Sequence, residues 1–126
     1  QKQVEIWGTG QAKREFLYVD DMASACIHVM NAPLAQYQQM TATLSHLNIG
    51  TSEEVTIQEL AQLICDVIGY QGELIFNAQK SDGTPRKVLD ISRLHQLGWQ
   101  HQISLKKGLA QTYSWYLNHQ GQLRTV

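Results

Sequence analysis

The sequence predicts a mixed α/β fold, and three observations carry the prediction. Short apolar runs with strand character recur at 4–7, 47–49 and 74–76. Segments with helical spacing lie between and after them, at 22–30, 57–68 and 105–116. Clusters of Gly, Asp, Ser and Pro punctuate the joins. At 126 residues the chain has room for one domain with a core and too little for two ordinary ones. Strands this short cannot build a large sheet by themselves, so an α+β arrangement within a larger fold is expected. The lack of an initiator Met and the strand-like opening lead to the same expectation, a piece of something longer.

In chain order, Val4-Glu5-Ile6-Trp7 alternates as a strand does and runs into Gly8-Thr9-Gly10, a hairpin-like turn signal. Glu15-Phe16-Leu17-Tyr18-Val19 reads as a second extended piece. From Asp20 onward Met22, Ala25, Cys26, Val29 and Met30 follow helical spacing. Asp20 is placed to cap this helix, and both Asp20 and Asp21 suit the positive end of its dipole. Residues 32–45 carry no period and are expected as a surface loop, with at most a frayed helical turn. Leu47-Asn48-Ile49 reads as a buried strand.

The clearest element follows. Thr56 and Glu59 form a capping box, in which each side chain satisfies an end donor near the other. Ile57, Leu60, Ala61, Ile64, Val67 and Ile68 make the buried stripe, and Gly69 ends the helix. Leu74-Ile75-Phe76 is a strand, Ser92 caps a short helix that stops at Gly98, and Ser104 caps the last helix. Leu105, Leu109, Tyr113 and Tyr116 form the stripe of that last helix.

Composition narrows the function classes. A net charge of −1 gives no basic footprint for nucleic acid, and no apolar run approaches the roughly 18 residues of a membrane span. No apolar segment follows Gln1-Lys2-Gln3 as it would in a signal peptide. Cys26 and Cys65 fall on apolar helix faces and are expected as small buried hydrophobes, which suits a reducing, cytoplasmic setting. The five histidines show neither a His-x-x-x-His pair nor a Cys-x-x-Cys partner, so no metal site is expected.

The chemistry-bearing residues cluster at element edges. Gly8-Thr9-Gly10 is the sole match to a dinucleotide turn, yet no helix follows and Lys13 stands where a third glycine would sit. No nucleophile–base order and no helical Tyr-x-x-x-Lys pair is present, so no self-sufficient catalytic site is expected. Ser81-Asp82-Gly83-Thr84-Pro85-Arg86-Lys87 sets a carboxylate and two cations around a Gly and a Pro. It reads either as a solvated turn or as a ligand loop. Arg14 offers a planar fork for phosphate oxygens, or a partner for Glu15 or Asp20. Trp7 suits base stacking or plain core. Trp99, Tyr113, Trp115 and Tyr116 read as core or subunit contacts.

Several of these segments together resemble the GDP-L-fucose synthase family of extended short-chain dehydrogenases/reductases. The likeness runs through 4–10, Arg-Glu-Phe-Leu-Tyr-Val-Asp-Asp-Met-Ala at 14–23, 44–51, and 81–89 with its Asp-Gly-Thr-Pro-Arg-Lys. Residues 90–99, with Arg-Leu-His-Gln-Leu-Gly-Trp, and Ser104-Leu105 complete it. The resemblance implies that residues 1–126 are one C-terminal substrate-binding domain, with the NADPH-binding Rossmann domain missing. Residues 19–51 would include a helix and strand that pack on that domain. It implies conversion of GDP-4-keto-6-deoxy-D-mannose to GDP-L-fucose by 3,5-epimerisation and NADPH-dependent reduction, in a cytoplasmic homodimer. Trp7, Arg14, Asp82 and Lys87 would contact the substrate, while the catalytic residues would lie upstream. Tyr18 stands where members often carry His. Two other readings are a different nucleotide-sugar epimerase or dehydratase, and a non-catalytic sugar-nucleotide-binding or interaction module.

Overall fold

The computed structural model describes residues 2–42 and 46–122. Its elements are β1 (Gln3–Trp7), β2 (Lys13–Arg14), α1 (Val19–Asn31), α2 (Leu34–Met40), β3 (Val55–Thr56), α3 (Ile57–Ile68), β4 (Glu73–Asn77), β5 (Arg86–Lys87), α4 (Ser92–Gln96) and α5 (Leu105–His119). This is the mixed α/β arrangement expected. Two small sheets form, one pairing β1 with β4 in parallel and one ordered β3-β2-β5. Within the second, β2 runs antiparallel to β3 and parallel to β5. No helix among the described residues is long and apolar enough to cross a membrane.

The turn at Gly8-Thr9-Gly10 does not close a hairpin. β1 and β2 lie in different sheets, and Gly8 and Gly10 take φ of +91° and +79° to redirect the chain from one to the other. The second extended piece is also shifted, to Lys13–Arg14 instead of 15–19. The reason is packing: beyond Arg14, Leu17 turns onto the core and Tyr18 onto Gly108 of α5, whose missing side chain makes room for the ring.

α1 begins at Val19 with Tyr18 in the cap position, so Asp20 does not cap it. Asp21 has the larger task. Its buried carboxylate accepts the amides of Gln102 (3.1 Å) and Ile103 (2.8 Å), tying the start of α1 to the segment before α5. That rotates the helix away from its apolar stripe. Ala25 and Val29 reach the core with Leu94, Trp99, Leu17 and Ile49, whereas Met22, Cys26 and Met30 are exposed. Cys65 is buried as expected; Cys26 is not.

Two loop readings also change. Residues 34–40 form α2, where a frayed turn was the most expected, while 43–45 lie outside the described residues. Leu47-Asn48-Ile49 is half-buried but not a strand: no described strand lies alongside it, and Asn48 Nδ2 donates to the Asp90 carbonyl (3.0 Å) instead. The capping box of α3 and the left-handed Gly69 stop are present. Ser104 caps α5, accepting from the Lys107 amide. Ser92 is the first residue of α4 and caps nothing; the Asp90 side chain accepts its amide at 2.9 Å. α5 packs along α3, with Leu105, Leu109 and Tyr113 half-buried and Tyr116 exposed.

Candidate functional site

Of the four residues singled out, Trp7 ends β1, Asp82 lies in the loop before β5, and β2 and β5 bring Arg14 and Lys87 together. Arg14 and Lys87 are direct partners in the parallel ladder, as are Lys13 and Arg86. Side chains alternate faces along a strand, so each pair projects to its own side. On one side Glu54 bridges both cations, Lys13 at 3.2 Å and Arg86 at 2.6 Å. The Arg86 hydrogen bond, more than the Lys13 one, holds the Glu54 carboxyl below the usual range against an opposing desolvation. On the other side, no carboxylate among the described residues pairs with Arg14 or Lys87. Arg14 Nη1 donates to the Lys13 carbonyl (2.6 Å), and its other terminal nitrogen lies by Gly83.

Trp7 ends β1 with 68% of its surface exposed, so it is not core. Lys80 sits over its ring, 5.3 Å from the centroid. Asp82 faces the turn after β1. One oxygen accepts the Thr9 amide and the other the Thr9 hydroxyl, both at 2.7 Å. The hydroxyl contact, then the Thr9 and Gly10 amides, lower its pKa despite some desolvation. A Cβ on Gly8 would lie 2.2 Å from Asp82 Oδ1, so only glycine permits this latch. The 81–87 loop is therefore anchored at its start by a carboxylate whose oxygens already take donors.

This turn also answers whether the chain can hold a dinucleotide. The Thr9 and Gly10 amides face the Asp82 carboxylate, and the segment leads into β2 instead of a helix. A pyrophosphate needs free amides at a helix start. The residues of this turn therefore do not form a pyrophosphate cradle. No group of His, Cys, Asp or Glu among the described residues could hold a metal.

Sequence reasoning missed Glu15. Its carboxylate accepts the amides of Thr51 (3.1 Å), Ser52 (3.0 Å) and Leu89 (2.8 Å), and so is not engaged with Arg14. A glutamate flanked by an arginine looks like half an ion pair; nothing local announces amides 36 and 74 residues away. Glu54 was missed for the same reason.

Residues 1–50 match the NAD dependent epimerase/dehydratase family. The chain is 55% identical over 122 residues to the GDP-L-fucose synthase of Escherichia coli (strain K12), covering 96% of this chain and 38% of that one. Among solved structures, a GDP-6-OMe-4-keto-L-xylo-heptose reductase from C. jejuni superposes with a TM-score of 0.84 at 38% identity, covering 94% of this chain and 34% of that one. A GDP-mannoheptose C4 reductase from Campylobacter jejuni with NADP bound gives 0.80 at 39% identity, with coverage of 92% and 35%. The chain thus matches the extended short-chain dehydrogenases/reductases as a C-terminal portion of that fold. More narrowly, it matches the C-terminal part of GDP-L-fucose synthases. It spans about 38% of the length of the Escherichia coli relative.

Proposed function

We propose that this chain forms the substrate-binding side of the cleft in a GDP-L-fucose synthase, holding GDP-4-keto-6-deoxy-D-mannose while the upstream part of the enzyme performs chemistry. The observation that carries the reading is the Arg14–Lys87 pair, two adjacent cations on one face of a ladder with no carboxylate opposite. A diphosphate supplies the missing charge, and Arg14 can meet it with parallel N–H bonds. Trp7 offers its exposed ring to the nucleotide or sugar face. Asp82 keeps lone pairs on both oxygens beyond those engaged by Thr9, enough to accept sugar or base donors.

In this division of labour the chain contributes orientation and remote binding energy. Epimerisation at C3 and C5, reduction at C4 and the NADPH site belong to upstream residues. The exposed apolar side of α1, with Val19, Met22, Ile27 and Met30, is where the upstream domain would pack. The cytoplasmic homodimer is carried by the family resemblance alone. The two reductase structures favour one second reading, a reductase of another GDP-linked 4-keto sugar, which product analysis with each candidate substrate separates.

The decisive measurement is substrate saturation of the full-length enzyme carrying Arg14→Ala. Charge-assisted phosphate contacts contribute about 1.5–3 kcal/mol, so KM for the GDP-sugar should rise roughly tenfold or more. An unchanged KM would remove Arg14 from the site.

A further inference from the structure

We infer that Glu15 is a positioning residue for this anion site: its carboxylate, bonded to three main-chain amides, holds Lys87 opposite Arg14. The inference rests on the GDP-sugar reading above. β5 is a two-residue strand at the edge of its sheet, paired among the described residues with β2 alone. So short a ladder is a weak hold on the loop that carries Lys87. Two residues after Lys87, the Leu89 amide donates to Glu15 Oε1 at 2.8 Å. A side chain of β2's continuation thereby takes over where the backbone ladder ends.

The other oxygen is fixed from the opposite direction. Oε2 accepts from Thr51 and Ser52, where the chain turns with Ser52 at φ +57°. Gly50 is pressed so close that a Cβ there would lie 2.8 Å from both carboxylate oxygens. Two stretches far apart in sequence, 50–52 and Leu89, therefore converge on one carboxylate, which sits in a concavity of amides. The arrangement has an electrostatic consequence. With its oxygens turned to main-chain donors, Glu15 does not neutralise the neighbouring Arg14, as Glu54 does Lys13 and Arg86. Position and charge of the cation pair both depend on where that carboxylate points.

The test uses the full-length enzyme with Glu15→Gln, Lys87→Ala and the double variant. Glutamine keeps the shape but turns an NH2 toward amide donors. Each single variant should raise KM for the GDP-sugar about tenfold, since each removes or misplaces one charge-assisted contact. KM for NADPH should stay unchanged, and the double variant should bind no worse than Lys87→Ala alone. Independent, additive losses, or equal rises in both KM values, would make Glu15 a general fold staple and overturn the inference. Should Glu15→Gln fail to fold, Glu15→Asp, which keeps the charge at shorter reach, must show the same selective KM rise or the inference falls. If Lys87→Ala itself leaves KM unchanged, the GDP-sugar reading is what fails. If Lys87→Ala acts and the Glu15 variants do not, only the positioning role fails.

Discussion

The two faces of the β2–β5 ladder share one backbone, one register and two cations each, yet they have opposite fates. On the Lys13–Arg86 face a single half-exposed glutamate closes the charge, with Glu54 bonded to both cations. On the Arg14–Lys87 face the nearest glutamate in sequence is turned away to hold loops. The difference shows that cation count does not define an anion site. What defines it is the disposition of the carboxylates, and here Glu54 is placed to neutralise while Glu15 and Asp82 are placed to bond amides and hydroxyls. One face contributes modestly to the fold, and the other is the face that the proposed function assigns to the diphosphate.

The comparison breaks most directly by making the open face resemble the closed one. Lys87→Glu removes one cation and gives Arg14 a carboxylate partner across the ladder. Two charge-assisted contacts are then lost, so KM of the full-length enzyme for the GDP-sugar should rise roughly a hundredfold or more. A rise no larger than that of Arg14→Ala alone would mean that Lys87 adds nothing to the site. The converse change, Glu54→Gln, opens the closed face and should act far more weakly. An exposed ion pair adds little to stability and is screened by salt, so the melting temperature should fall by only a few degrees, and less in high salt. KM for the GDP-sugar should not move. A large KM effect would show that the two faces are not independent.

How much of this was legible in the sequence follows from the range of each interaction. The capping box at Thr56 and Glu59, the Gly69 stop and the Ser104 cap depend on residues within one helical turn, and the sequence displays them fully. The strand β4 was legible from its short apolar run. The orientation of α1 was not legible, because it is set by Asp21 bonding to amides 81 and 82 residues away. Helical spacing alone assigned Cys26 and Met30 to the inside, where an inward carboxylate has displaced them. The two-residue strands β2 and β5 were invisible for a related reason: their length carries no period, and only their pairing reveals them. The site divides likewise. Trp7, Arg14, Asp82 and Lys87 came from motif likeness, whereas the carboxylates that decide which cations stay open act across long sequence separations.

Acid titration offers the finest test of that distinction. The Arg86 hydrogen bond and the weaker Lys13 one hold the folded-state pKa of Glu54 below its ordinary value. A carboxyl whose pKa is depressed on folding stabilises the fold above its unfolded pKa, and that contribution is lost as pH falls through the folded one. Protonation of Glu54 would thus release Lys13 and Arg86 only at a pH below the ordinary glutamate midpoint. Carbonyl-detected NMR should place the Glu54 midpoint there, and Arg86→Ala should raise it toward the ordinary value because it removes the largest cause. Arg14→Ala should leave the Glu54 midpoint in place, since Arg14 projects from the other face of the ladder. A shift on Arg14→Ala as large as on Arg86→Ala would erase the difference between the faces, because Glu54 would then be sensing all four cations as one cluster.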